Sequence, residues 1–369
     1  MKKILVIALL ALATTGAFAQ RVDYGLDLDY LADNRQYGAS QEVFSPSAFF
    51  HAVNFSPRVG MTFSTTAGVT HSVMFGADFY KNLGTGFKTW DLMQEFLYYY
   101  RFDLRIGRRG TFTGIAGCYP KSLLGSDYPL VFFSEEPRFA DRNFEGFAFK
   151  YFSRDFNANV ALDYFSVPTA DSRERYEVLS AGDWRVIPGL SLGWRFLHMH
   201  YGASKNIPNK VNTFMFYPYA KYEPRTSLQR LSATLGWVQT RQSDTAQEGV
   251  LYPGGVLANV TVGHWGLGLS NDFYTGRDLM PYYGTSYKGV KYGSDLYPGS
   301  PFYHTHIEGF SFYDRVEIFY EPKLGNWGSV RLSAVCHLGN PTGMFGVIRG
   351  WQETVSFRIN IESFRSLKK

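Results

Sequence analysis

Past its first nineteen residues the sequence has no apolar run near the ~20 residues that a membrane-crossing helix needs, so a helical span is excluded. Cysteine is scarce. Cys118 and Cys336 stand alone and far apart, too few for a small disulfide-stapled scaffold, and two separately packed thiols are expected. Apolar positions show no 3.6-residue period, which argues against a helical enzyme. There is no phosphate-cradling glycine loop, Walker sequence or HExxH motif. There is also no block of like charge: the formal charge of +5 over 369 residues is dispersed and gives no case for nucleic acid. No cofactor is implied.

What the chain has in quantity is aromatic side chains, 18% of all residues with 26 Tyr and 32 Phe, together with 37 Gly. Rings at two lipid–water interfaces and glycine in tight turns are what a membrane β-barrel requires. Residues 1–19 read as a secretory signal peptide: Lys2 and Lys3, the apolar stretch 4–13, and Ala17-Phe18-Ala19 before the cut. No Cys follows that site, so a lipid anchor is not supported.

The segment VDYGLDLDY (22–30) alternates Val22, Tyr24, Leu26, Leu28 and Tyr30 with Asp23, Gly25, Asp27 and Asp29. The same two-residue period recurs at 53–63, 71–80, 95–105, 111–120, 143–152, 158–167, 176–186, 190–201, 211–222, 228–239, 254–263, 266–275, 310–321, 328–338 and 350–361. That makes 16 segments, with 14 or 18 also within the error of such boundaries, and each is long enough to cross the hydrocarbon as a tilted strand. In 143–152, 176–186 and 211–222 the alternation is smeared by aromatics on both faces. Every second connection is short (64–68, 106–110, 153–157, 187–189, 223–227, 263–266, 324–329). The others are long: 31–52, 81–92, 121–142, 168–175, 202–210, 240–253, 276–309 and 339–349. Sorting by parity is what an up-and-down barrel with short inner turns and long outer loops predicts. The expectation is therefore an all-β, transmembrane, antiparallel up-and-down β-barrel, one domain over 20–369, in the cell outer membrane.

By parity the interior should carry Asp23, Asp27, Asp29, Arg58, Asp78, Glu95, Arg101, Asp103, Arg105, Asp163, Arg195, Arg230, Asp272, Arg315, Glu317, Arg331 and Arg358. Mixed charges of this kind either set a field for permeating solutes or pair across strands as a structural network. Both readings stay open. The longest loop, 276–309, is the leading functional element. It holds Arg277, Asp278, Tyr282, Tyr283, Tyr287, Tyr292, Tyr297, Phe302 and Tyr303, and it can constrict or plug the lumen, bind solute, or cap the outer rim.

His198 and His200, with Ser204 nearby, fall on the lipid side by parity, which disfavours a catalytic pair. His304, His306 and Glu308 form a weak metal signal. No catalytic or metal-binding residue is assigned.

The stretches LYPGGVLANVTVGHWGLGLSNDFYTGRDLMPYY, YGSDLYPGSPFY and YDRVEIFYEP within 249–322 resemble a porin-like, uncharacterised family of outer-membrane β-barrels from Bacteroidota. DNRQYGASQEVFSPSAFFHAVNFSPRVGMTF and GADFYKNLG near the start fit the same family. The resemblance implies barrel fold and outer-membrane location, and no activity. The function expected is a porin-like channel for small polar solutes, surrounded by outer-membrane lipid and lipopolysaccharide, with oligomeric state left open. The alternatives are an outer-membrane lipid or lipopolysaccharide hydrolase, and a plugged barrel with a structural or surface-binding role.

Overall fold

The computed structural model describes residues 21–38, 47–65, 68–84, 92–107, 109–170, 172–206, 208–247, 249–284, 286–287, 290–305, 309–322, 324–340 and 346–362. The expected signal peptide and the end of the chain after 362 lie outside them.

Thirteen long strands come first: β1 (Arg21–Tyr37), β2 (Ala48–Ser64), β3 (Val69–Asn82), β4 (Met93–Ile106), β5 (Gly110–Pro120), β6 (Asn143–Ser153), β7 (Phe156–Ser166), β8 (Arg175–Ile187), β9 (Leu190–Tyr201), β10 (Val211–Tyr222), β11 (Arg230–Asp244), β12 (Gly254–His264) and β13 (Leu267–Gly276). A two-residue hairpin, β14 (Ser286–Tyr287) and β15 (Val290–Lys291), stands apart from the wall. β16 (Ser311–Tyr320), β17 (Gly328–Gly339) and β18 (Ile348–Glu362) complete it. Each wall strand pairs antiparallel with its neighbours, β13 with β16, and β18 returns to β1, closing a barrel of sixteen strands.

Closure follows from the solvent. In hydrocarbon each unpaired backbone N–H or C=O costs several kcal/mol, and only an edgeless sheet leaves none. Side-chain alternation then sorts the two faces. Along β1, Asp23, Asp27, Asp29 and Asp33 are buried, while Val22 and Tyr24 are 59% and 56% exposed. The exposed face continues with Phe75, Tyr98, Phe147, Leu235, Leu267, Ile318 and Trp351. A wall with this apolar outer face suits lipid.

The seam between first and last strands is stitched from inside. Leu28 pairs with Ile359 in the ladder. Beside it Arg358 Nε reaches Asp29 at 2.5 Å, Arg58 reaches Glu362 at 2.6 Å, and Gln352 donates to Asp33 at 3.0 Å.

Several strands run past the bounds read from sequence, among them β2, which starts at Ala48 instead of 53. β1 runs on to Tyr37, so the connection expected at 31–52 shrinks to 38–47, because Leu31 and Asp33 extend the inward row. β11 reaches Asp244, where Gln242 and Asp244 meet side chains from the long loop. The turn between β12 and β13 is Trp265-Gly266, with φ of 51° and 82°. Two positive φ values match the right-handed twist of the strands they join.

Candidate constriction and binding site

The inward charges are wired into pairs. Asp27 holds Arg58 at 2.5 Å, and Asp29 holds both Arg358 and Arg142 at 2.5 Å. Asp23 meets Arg21 at 2.7 Å, Arg101 meets Asp103 at 2.9 Å, and Arg195 meets Asp183 at 3.3 Å. Buried Arg315 touches Glu317 at 2.8 Å, Glu135 at 3.0 Å and Asp272 at 3.7 Å. Arg331 bridges Glu317 and Glu321, both at 2.8 Å, and Arg230 joins Glu321 at 2.9 Å. Asn143 donates to Asp78 at 3.2 Å and to Glu95 at 2.8 Å. Asp163 lies 3.4 Å from Lys121, and Arg105 is exposed at the end of β4. Of the two functional readings of these charges, the geometry supplies the pairs that the structural network needs.

The long loop enters the barrel. Phe302 stacks on His337 with ring centroids 4.0 Å apart, lies 5.3 Å from Tyr313, and meets Tyr37 edge-on at 5.0 Å. Tyr303 packs edge-on against Tyr274 and Tyr313 at 5.7 Å and 5.0 Å. Further along the wall Tyr292 donates to Asp244 at 2.6 Å and accepts from Asn209 at 2.5 Å, while Tyr297 donates to Gln242. The loop thus reaches from the β16–β1 side to β10 and β11. Tyr282, Tyr283, Tyr292, Tyr297 and Tyr303 are all buried. Arg277 is exposed, and its backbone N–H donates to Gly254 while its carbonyl accepts from Tyr274. Asp278 binds His304 Nδ1 at 2.7 Å. The side chain of Tyr287 lies outside the described residues, as do His306 and Glu308, so the expected metal set has only His304 in view. Burial, then the Asp244 carboxylate, pushes the Tyr292 hydroxyl up to about 12. Burial above all, aided by nearby Asp278 and Asp272 respectively, lifts Tyr297 and Tyr303 well above 10, so these phenols stay neutral.

A second inward element had no role in the sequence reading. Residues 121–142, which include the helix Glu135–Ala140, fold into the lumen with Val131 and Phe132 fully buried. Their charges grip distant strands: Glu136 binds Arg35 at 2.6 Å, Glu135 accepts from Gln352 at 2.8 Å, and the Asp127 carbonyl accepts from Arg195 at 2.5 Å. The two loops then bond to each other. Ser134 N–H donates to Pro298 and Ser300 N–H to Leu130, both at 2.8 Å. Gly299 lies so close to the Val131 carbonyl that any Cβ would strike it. In sequence 121–142 shows only its length, and its charges resemble a solvated face.

Together the loops and the inner faces of β3–β16 form one continuous cluster of buried apolar side chains. Cavities remain around it. One of about 480 Å³ lies on the Arg35, Glu135 and Arg315 side of the 135–140 helix. Another of about 400 Å³ lies on the Lys121, Arg138 and Glu177 side. A third of about 280 Å³ reaches Asp27, Arg142 and Arg358, and shares Lys121, Ser122 and Arg138 with the second.

His198 and His200 share Asn212 Oδ1, at 3.3 and 2.8 Å, on the outward face beside Tyr176 and Phe214. Cys118 and Cys336 are both free thiols.

No protein-family model matches the chain, and no curated protein does. Solved structures do. A loop L8 deletion mutant of OmpT, an outer membrane protein of Vibrio cholerae, is similar with TM-score 0.53 at 11% identity, over 92% of this chain and 99% of that one. Pseudomonas aeruginosa OccK9 (OpdG) is similar with TM-score 0.52 at 11% identity, over 94% and 99%. An anion-selective porin from Comamonas acidovorans follows with TM-score 0.49 at 11% identity, over 93% and 98%. With closure and the apolar outer face, the likeness to the first two shows the fold of an outer-membrane β-barrel.

Proposed function

We propose that the protein is a constricted outer-membrane channel for small polar solutes. In this reading the inward segments 121–142 and 276–309 set what passes. The observation that carries it is the row of cavities beside the 135–140 helix. Two of them share Lys121, Ser122 and Arg138 in their linings, which supports reading them as neighbouring parts of a route past the buried cluster. Charged groups at such a narrowing act directly on a permeant. The competing reading, a plugged barrel with a structural or surface-binding role, is favoured by the continuous buried cluster that joins loops to wall.

Planar-bilayer recording separates the two. The channel reading expects a small, ion-selective wild-type conductance that grows when 276–309 is replaced by a short turn. A silent wild type that opens on the same deletion points to the plug. No current from either protein sinks the channel.

A further inference from the structure

The 400 Å³ cavity contains a carboxylate with nothing to bind. Glu177, on the inner face of β8, is fully buried, and neither of its carboxylate oxygens has a hydrogen-bond partner among the described residues. Burying an ion in this way costs several kcal/mol unless a partner arrives. The neighbouring cations are already engaged. Lys121 is held by Asp141 at 2.9 Å and by Asp163 at 3.4 Å, Arg175 is held by Asp295 at 2.8 Å, and Arg138 donates to the Tyr128 carbonyl. Lys121, Arg138 and Arg175 thus face Asp127, Asp141, Glu177 and Asp295 around the cavity, and its lining is one positive charge short.

The same cavity has an aromatic side. Phe144 and Phe165 line it, and both already accept Lys121 Nζ over their faces at 5.1 and 5.9 Å. Tyr128 and Phe133 add to the apolar lining. A metal ion fits poorly. Among the described residues the one convergent set of ligand atoms is Glu95, Cys118 and Glu145, away from Glu177. A protonated amine fits both features, because its N–H groups suit two free oxygens and its carbon body suits the rings.

We infer that this cavity is a binding site for a small organic ammonium solute carrying an apolar or aromatic body, with Glu177 receiving the charged head. The inference rests on the solute-channel reading for its biological sense, but the site can be tested without any current. Detergent-solubilised full-length protein is titrated calorimetrically with benzylammonium chloride, and with benzyl alcohol as the neutral analogue at the same ionic strength. Benzylammonium should bind saturably, at least tenfold tighter than benzyl alcohol. Glu177→Gln should lose at least tenfold for the amine and little for the alcohol, and Phe165→Leu should weaken the amine several-fold.

Heat-modifiable gel mobility establishes that each variant is a closed barrel. If Glu177→Gln fails that check, Glu177→Asp takes its place, with an intermediate loss expected. Equal affinity for amine and alcohol, an unchanged Glu177 variant, or full displacement of the amine by Mg2+ overturns the site. Binding without any bilayer current sinks the channel and spares the site. Current without binding does the reverse.

Discussion

Gly299 offers the sharpest handle on the interior. It sits where one inward loop touches the other, between the Ser134–Pro298 and Ser300–Leu130 backbone hydrogen bonds. A methyl group there meets the Val131 carbonyl oxygen, which is backbone and cannot swing aside. Overpacking of this kind costs about 1–3 kcal/mol. Losing the two flanking hydrogen bonds adds about 0.5–1.5 kcal/mol each. A combined loss of about 2–6 kcal/mol lowers the docked-to-undocked ratio of the loops by roughly 30- to 20,000-fold, at about 1.4 kcal/mol per factor of ten. The strands do not depend on Gly299, so Gly299→Ala should still give a heat-modifiable barrel. In planar bilayers the variant should show frequent large openings absent from the wild type, and its loops should be cut faster by protease. A folded Gly299→Ala barrel with wild-type current and wild-type cleavage would refute the claim that this loop crossing keeps the lumen narrow.

Other outcomes follow from the charged interior. Arg315→Met removes the cation shared by Glu135, Asp272 and Glu317 and should cost about 3–5 kcal/mol. That loss is read as a lower unfolding temperature in detergent, and adding Glu135→Gln and Glu317→Gln should recover much of it. Burial would raise the Glu135 carboxyl, but Arg315 and the Gln352 hydrogen bond hold it below its ordinary 4.5. Its contribution to docking the 121–142 loop is therefore complete above pH 4.5 and is lost as pH falls through the lower bound-state value. Protease sensitivity of the loop should rise only in that acid range, and Glu135→Gln should abolish the dependence. Arg195→Ala, which frees the Asp127 carbonyl, and Arg101→Ala should each move the reversal potential toward cations; unchanged values in both would mark these arginines as purely structural.

The wall was legible because lipid and water impose a strict two-residue period, and all sixteen expected segments match strands. The three smeared segments were informative in a way the sequence alone did not reveal. Phe144 and Ala148, Leu179, and Val211, Met215, Tyr217 and Tyr219 turn inward from β6, β8 and β10, where the loops cover them. Their inner faces are apolar because they meet protein there instead of water. Glu177 was hidden by the same smearing. The direction of the 276–309 loop was not legible, since rings such as Tyr297 would serve equally well in an outer cap. The inward path of 121–142 was still less so: Glu135 and Glu136 find their partners on β1, β16 and β18, and no local spacing announces a partner that remote.

The bonds between first and last strands carry a consequence for biogenesis. Arg358, Arg58 and Gln352 can reach Asp29, Glu362 and Asp33 only once β18 lies against or near β1. A chain inserting hairpin by hairpin collects none of that attraction along the way and gains it in a single final zippering. Before that moment the unjoined margins expose bare backbone, and Asp29, Asp33 and Glu362 lack these partners, so an insertion machine that shelters those margins would be guarding the most vulnerable stage of the molecule's life.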